Sequence, residues 1–335
     1  MRTREEKRAI KLIIGGVFLL LFLCFASLFL GRYLLSVGEV VSILLNRWDS
    51  DGIVNTVVWD IRLPRMLLTV LVGAGLAAAG ASFQGIFQNR LVSPDILGVS
   101  NGAGFGAALA MLVGGGSSGI AIMAFGGGLI SVFLTYFISR LKKESSTLAL
   151  VLSGIIVAAF FSALISFIKL VADTDSVLPS ITYWLMGSFA GATFEKVIFA
   201  ALFIGLGLIV LLAMRWKINI LSMGDEEAYT LGINPVKNRV VIIAASTFIT
   251  AAAVTVSGII GWIGMIIPNL CREYITADNK LLLPASCVMG ALFTVSVDLV
   301  ARCATAAEIP IGILTAILGA PIFVLVFFKR EGDLE

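Results

Sequence analysis

Residues 66–89 read MLLTVLVGAGLAAAGASFQGIFQN, a run without a single charged side chain. A helix needs about 20 apolar residues to cross the hydrocarbon layer of a membrane, which is about 30 Å thick. This run therefore predicts a transmembrane helix. The whole chain of 335 residues is 59% hydrophobic and 13% charged, whereas a soluble domain is roughly 25% charged. These values exclude a soluble enzyme, a disordered chain and a nucleic-acid-binding domain.

Other charge-free runs predict further spans. They occupy residues 12–31, 96–139, 145–168, 197–214, 281–297 and 309–328. The run 96–139 is long enough for two spans, and glycines and serines at 114–119 predict a tight turn between them. No small-residue cleavage site follows the first run, so we expect a retained first span rather than a signal peptide.

Two segments leave the number of crossings open. Residues 240–271 lack charge but contain Gly258, Gly261, Gly264 and Pro268, and residues 176–194 contain Pro179 and several polar groups. Lys and Arg accumulate in cytoplasmic loops. Most of the 24 Lys and Arg residues fall on one side if 240–271 crosses twice and 176–194 does not cross. A single crossing of 240–271 distributes them more evenly.

We therefore predict an all-α polytopic membrane protein with about ten transmembrane helices and both termini in the cytoplasm. Residues 1–335 would form a single transmembrane domain without a separate soluble unit. The predicted spans are approximately 10–35, 62–88, 95–113, 118–140, 147–170, 196–215, 239–257, 259–274, 281–302 and 308–328.

The residue types argue against catalysis by this chain. It has no histidine, which is the commonest general base and metal ligand. Its four cysteines lack CxxC spacing, so they predict neither a zinc site nor a disulfide framework. A GxxxxGK[ST] phosphate loop is also missing. We expect no catalytic residue, no metal site and no cofactor bound by this chain.

Several features have two interpretations. Glycines inside the spans suit close helix packing, or helices that line a path and shift against each other. Arg62, Arg65 and Arg302 fall on the predicted outer side, where they are either helix-end anchors or a basic rim that pairs with carboxylates of a docking protein. Asp298 and Arg302 have the i,i+4 spacing of a local ion pair.

An acidic segment interrupts an otherwise basic predicted inner loop. Residues 221–232 read LSMGDEEAYTLG and predict a short helix, with Asp225 as its cap and Glu226 and Glu227 in its first turn. Gly232 is placed as its C-terminal stop. The helix is either a solvated connector or a compact knob presented to a partner.

Taken together, these motifs resemble those of the FecCD family, the permease subunits that import iron–siderophores, haem and cobalamin in ATP-binding-cassette (ABC) systems. The resemblance extends from about residue 38 to residue 330. It rests on these motifs in order: RLPR at 62–65, LGVSNGAG at 97–104, the segment 224–232, GIIGWIG at 258–264, LLP at 282–284, Asp298 with Arg302, EIPIG at 308–312 and GAP at 319–321.

The resemblance implies a role for each ambiguous feature. Arg62, Arg65 and Arg302 would dock a substrate-binding protein through its glutamates. The ATPase coupling helix would comprise Gly224, Asp225, Glu226, Ala228, Leu231 and Gly232. Ser145, Ser146 and Thr147 would form the inner gate at a dimer axis.

The resemblance also implies an assembly in the cytoplasmic (plasma) membrane of a bacterium or archaeon. Two permeases, identical or related, would meet two ATPase subunits, which use the ATP and Mg²⁺, and an extracytoplasmic substrate-binding protein. Ferric siderophore is the expected cargo, with haem, cobalamin and molybdate-type oxyanions as alternatives.

The chain departs from the family pattern at the predicted cytoplasmic side. Asn269 stands where the family usually has a histidine, and residues 276–280 read TADNK in place of Gly-x-Asp-His-Arg. An ion-coupled secondary transporter is a second hypothesis, which the scarcity of ionisable groups within the spans disfavours. A membrane-embedded enzyme is a third, but no set of nucleophiles or metal ligands supports it.

Overall fold

The computed structural model describes residues 4–31, 33, 35–45, 52–141, 147–305 and 307–328, and within these ranges the chain is helical without strands. The α-helices are α1 (Arg4–Phe29), α2 (Val37–Leu45), α3 (Ile53–Thr56), α4 (Leu63–Ile86), α5 (Val99–Leu112), α6 (Ser117–Arg140), α7 (Thr147–Val171), α8 (Val177–Leu185), α9 (Phe194–Leu221), α10 (Asp225–Thr230), α11 (Pro235–Ser257), α12 (Ile263–Tyr274), α13 (Asn279–Cys303) and α14 (Ile311–Phe328). A π-helical turn, Val57–Arg62, joins α3 to α4, and a 3-10 turn, Pro94–Leu97, precedes α5.

Every predicted span contains a helix, but not every helix is a full crossing by length. In the described part of the chain, seven helices are long and apolar enough to cross a membrane: α1, the continuous stretch from α3 to α4, α6, α7, α9, α11 and α13. α5 has 14 residues, α12 has 12 and α14 has 18. The chain is thus a multi-pass membrane protein, and about ten crossings with cytoplasmic termini stay a prediction.

A break between α11 and α12 explains one of the short helices. Gly258 and Trp262 adopt left-handed backbone angles, with φ of 70° and 71°, which end one helix and delay the next. At Gly258 a side chain would collide with the carbonyl oxygen of Trp184, so only glycine fits there. Residues 240–271 therefore form two helices, while α8 in the second ambiguous segment has nine residues, too few to cross.

α4 lies at the centre of the bundle and is buried almost continuously from Val72 to Ile86. It packs against α9, α11, α12 and α13. At Gly73 a side chain would lie 2.5 Å from the carbonyl oxygen of Gly290 on α13. At Gly80 it would overlap the carbonyl of Gly264 on α12. These contacts support the close-packing interpretation of the glycines, because helices that touch backbone to backbone need residues without bulk.

Large apolar side chains cover the outside of the bundle. Phe18 and Phe22 on α1, Phe133 on α6, and Phe160 and Phe167 on α7 are exposed. An apolar exterior of this extent suits hydrocarbon rather than water. Around the centre, small and branched side chains form one large buried cluster that includes Leu68, Phe83, Ile204, Ile249 and Leu283, to which α4, α9, α11 and α13 contribute.

All four cysteines lie in the described part of the chain, and each is a free thiol there. Cys271 is buried, Cys24 and Cys287 are half-buried, and Cys303 is exposed at the end of α13.

Candidate functional site

The three predicted docking arginines gather at one end of the bundle, which we call the arginine end. Arg65 lies in the first turn of α4, close to Asp298 near the end of α13. Its Nε donates to both carboxylate oxygens of Asp298, at 3.0 and 3.2 Å, and its Nη2 lies 2.9 Å from Asp298 Oδ1. Its Nη1 donates to Glu308, at 2.9 and 3.1 Å. One guanidinium thus joins α4 to α13 and to the loop before α14.

Arg62 and Arg302 turn toward the end of α1 and the residues that follow it. Arg62 donates to the carbonyl oxygen of Leu28 at 2.7 Å and to that of Tyr33. Arg302 donates to the carbonyl oxygen of Ser27 at 2.7 Å, and its Nε lies 3.8 Å from Asp298 Oδ2. The last distance agrees with the predicted i,i+4 pair of Asp298 and Arg302.

The arginine cluster is internal, not an exposed rim. Arg62 and Arg65 are each 5% exposed and Arg302 is 7% exposed. A bidentate arginine–carboxylate pair is geometrically specific, and removing one partner of a buried pair leaves an uncompensated charge at a cost of about 3–5 kcal/mol. The cluster therefore clamps the ends of α1, α4 and α13 together, and docking through these arginines stays a prediction.

The carboxylate partners of Arg65 were missed by sequence reasoning. Asp298 lies 233 positions along the chain from Arg65, and Glu308 lies 243 positions away. The sequence offered one signal, which is that Asp298 and Glu308 are acidic residues in a largely apolar region. Only the packing of α4 against α13 shows which arginine each acid meets.

The predicted coupling helix is α10, at the other end of α9 and α11, which we call the knob end. Gly232 has φ of 73°. Its N–H donates to the carbonyl oxygen of Tyr229 at 3.0 Å, and the N–H of Ile233 donates to the carbonyl oxygen of Ala228 at 2.9 Å. This pair of bonds is a Schellman motif, which closes a helix at a glycine. Ala228 and Ile233 are buried and anchor the helix, so the predicted glycine stop agrees with the geometry.

The predicted cap at the start of α10 is wrong. Gly224 occupies the N-cap position, with φ of 142° and no side-chain cap bond. Asp225 instead accepts from Arg239 on α11, at 2.7 and 3.2 Å, because this guanidinium lies beside the first turn of α10. The pair fixes α10 to α11.

The solvent-exposed face of α10 carries both charged and apolar side chains. Tyr229 and Leu231 are each 57% exposed, and Met223 is exposed beside them. Glu226 and Glu227 are exposed in the first turn. A patch of exposed apolar side chains with polar residues around it is typical of a surface that another protein covers. We call residues 224–232 the knob, a projection that the Schellman motif and the Asp225–Arg239 pair hold rigidly against α11.

The structure describes only part of the predicted inner gate. Ser145 and Ser146 lie outside the described residues, and Thr147 is the first residue of α7.

Asn269, which departs from the family pattern, is buried. Its amide donates to the carbonyl oxygens of Arg90 at 3.0 Å and Met265 at 2.8 Å. It ties α12 to the loop after α4 rather than facing a partner.

Comparison with known proteins agrees with this architecture. The model of the FecCD transport family matches residues 19–329. The chain is 40% identical over 331 residues to the "Molybdate import system permease protein MolB" of Haemophilus influenzae, which covers 97% of this chain and 98% of that protein. It is 40% identical over 276 residues to a "Probable iron chelatin transport system permease protein" of Helicobacter pylori, which covers 82% of this chain and 83% of that protein.

A solved structure shares the fold over nearly the whole chain. It is described provisionally as a metal-chelate type ABC transporter in an inward-facing conformation, and it aligns with a TM-score of 0.87 at 39% identity, covering 95% of this chain and 99% of that one. With a family model that matches most of the sequence and permease relatives aligned along most of their length, the chain belongs to the FecCD transport family and is a multi-pass ABC importer permease.

Proposed function

We propose that the chain works in an importer of two permeases, identical or closely related, with two ATPase subunits below them and a substrate-binding protein above. ATP and Mg²⁺ would be used by the ATPase subunits, and this chain would supply the path. The chain would cross the membrane about ten times, with both termini in the cytoplasm. The complex would lie in the plasma membrane of a bacterium or archaeon. This arrangement is supported by the family and by the apolar exterior.

The observation that carries the proposal is the rigid, exposed knob. We assign Gly224, Asp225, Glu226, Ala228, Leu231 and Gly232 to the ATPase-coupling element. Ala228 is buried, and Asp225 pairs with Arg239 on α11. A displacement of the knob is therefore passed to α9 and α11 as a unit. Closure of the ATPases on ATP would favour one of two packings of the bundle, and so change the side on which the path opens.

The substrate-binding protein would dock at the arginine end. The Arg62, Arg65 and Arg302 side chains are committed to acceptors within this chain, so their contribution would be to hold the docking surface in shape. Glu308, whose side chain is 27% exposed, is the member of the cluster that a docking protein reaches first. Ser145, Ser146 and Thr147 are proposed as the inner gate.

We propose a ferric siderophore as the cargo. The iron chelatin relative and the metal-chelate description of the solved neighbour support this choice. A molybdate-type oxyanion is the second candidate, because the molybdate permease of H. influenzae matches at the same 40% identity over 97% of the chain. Haem and cobalamin are further alternative cargoes within the family, and the same experiment distinguishes them.

The test is uptake into proteoliposomes that contain the permease with the ATPase and binding protein encoded beside it. Radioactive ferric siderophore, molybdate, haem and cobalamin are offered in parallel, with and without ATP. We expect iron to accumulate only with ATP and binding protein. Molybdate uptake alone would replace the cargo and leave the importer proposal intact. Uptake that continues without the ATPase would contradict the importer and favour an ion-coupled transporter.

A further inference from the structure

An apolar groove runs between α9 and α11 on the outside of the bundle. Its volume is about 550 Å³, and its lining is almost wholly apolar. On α9 it is lined by Phe203, Leu206, Gly207 and Val210, and on α11 by Val240, Val241, Ala244, Ala245 and Phe248. The rings of Phe203 and Phe248 stack with centroids 6.4 Å apart and planes within 7°, and they close the end of the groove that is farther from the knob.

Helix geometry places two lysines beyond the opposite end of this groove, outside its apolar lining. Lys217 follows Val210 by seven residues on α9, and Lys237 precedes Val241 by four on α11. These spacings place both side chains on the helix faces that line the groove. Among the residues that the structure describes, neither ammonium group has a hydrogen-bond or ion-pair partner. The groove is therefore an apolar channel with a pair of free cations at its mouth.

The other charges near this mouth are accounted for. Arg239 is paired with Asp225 at 2.7 Å, and Arg215 donates to the carbonyl oxygen of Lys280 at 3.4 Å. Glu226 and Glu227 belong to the exposed face of the knob. Lys217 and Lys237 are thus left to attract an anion.

We propose that the groove binds one anionic phospholipid, with an acyl chain against α9 and α11 and the phosphate between Lys217 and Lys237. The charge-free part of α9 ends before Arg215, so Lys217 lies at the membrane boundary, where lipid phosphates lie. The groove spans about eight residues of α11, or ~12 Å, which fits within the ~15 Å of one leaflet.

The distribution of apolar and charged side chains along the groove favours a phospholipid over a helix from a second protein. The lining is apolar along the length of the groove, and the unpaired lysines lie beyond one end of it only. This division matches a phospholipid, which has an apolar acyl chain and a charged headgroup at one end. The proposal concerns a lipid site beside the knob and holds whatever the cargo is.

Native mass spectrometry of the full permease, purified in mild detergent and mixed with phosphatidylglycerol or phosphatidylcholine, tests the site. We expect one phosphatidylglycerol adduct per chain, which survives conditions that remove phosphatidylcholine. The double variant Lys217→Gln/Lys237→Gln should retain that lipid about tenfold less. Lys280→Gln is the matched control, since it removes an exposed lysine at the same predicted side without touching the groove.

Ala244→Phe tests the acyl chain separately, because Ala244 is exposed and lines the groove. We expect lower retention of phosphatidylglycerol with both lysines intact. Equal retention of the two lipids, or unchanged retention in the double lysine variant, overturns the site. An Ala244→Phe variant that changes the oligomeric state and leaves the lipid adduct untouched shows that a second copy occupies the groove, which also overturns it.

Discussion

The arginine end and the knob end both concentrate charged residues at an edge of the same helical bundle, but they use them in opposite ways. At the arginine end, the guanidinium groups of Arg62, Arg65 and Arg302 are buried and bound by this chain's own carbonyl and carboxylate oxygens. At the knob end, the carboxylates of Glu226 and Glu227 are exposed beside the exposed side chains of Tyr229 and Leu231. Charge alone therefore does not identify a docking surface; the decisive property is whether the side chain already has a partner within the chain.

This contrast predicts that substitutions at the two ends fail in different ways. A change in the arginine cluster should reduce the stability of the permease itself. A change on the outer face of the knob should leave the permease folded and weaken its association with an ATPase.

The largest effect is expected for Arg65→Leu. The substitution leaves Glu308 without its cation and Asp298 with Arg302 alone, at 3.8 Å, which should cost about 3–5 kcal/mol of folding free energy. Thermal unfolding of the purified permease in detergent measures this loss. Arg65→Lys is the matched control, because it keeps the charge but loses the two-pronged geometry and should be less harmful. Normal stability of Arg65→Leu together with weakened binding-protein docking would contradict the clamp and restore direct docking.

The next effect is expected for Leu231→Asp on the knob. Leu231 is exposed in the isolated permease, so thermal stability should change by no more than about 0.5 kcal/mol. Burial of a charge against an apolar partner surface should reduce ATPase association by about tenfold or more. Co-purification of the ATPase with the permease measures this. Leu141→Asp, at another exposed leucine on the same predicted side, should behave like wild type, and equal losses in both variants would rule out a specific role for the knob.

The smallest effect on ATPase association is expected for Gly232→Ala. Gly232 has open space around it but a left-handed backbone, with φ of 73°, so the cost is conformational and amounts to about 1–2 kcal/mol. The knob should become looser, and its affinity for an ATPase, measured by titration, should fall several-fold. Gly232→Asn should be milder because asparagine tolerates this conformation. If Ala and Asn were equally harmless, the rigidity of the knob would be irrelevant to coupling.

Local patterns predicted much of this architecture. The spans predicted from charge-free runs each contain a helix in the structure. The glycine at position 232 correctly indicated the end of α10. The i,i+4 pair of Asp298 and Arg302 could also be predicted, because its geometry depends on one helix alone.

Features that depend on distant contacts could not be predicted. Arg65 meets Glu308 only because α4 and α13 pack together at the centre of the bundle. Asp225 was expected to cap its own helix, but Arg239, which the turn after α10 brings alongside, binds it instead. Trp262, with a left-handed backbone, shortens α12, and no pattern in the sequence indicates such an angle for tryptophan.

Hydrogen–deuterium exchange of the permease, recorded with and without its ATPase, tests the central claim most directly. In the free permease, the backbone N–H groups in the first turn of α10, within residues 224–232, should exchange quickly, because the first N–H groups of a helix have no acceptor within it. The account predicts that the ATPase slows exchange in this segment and leaves the amides around Arg65 and Asp298 unchanged. An unchanged knob in a complex that still hydrolyses ATP and transports cargo would contradict it.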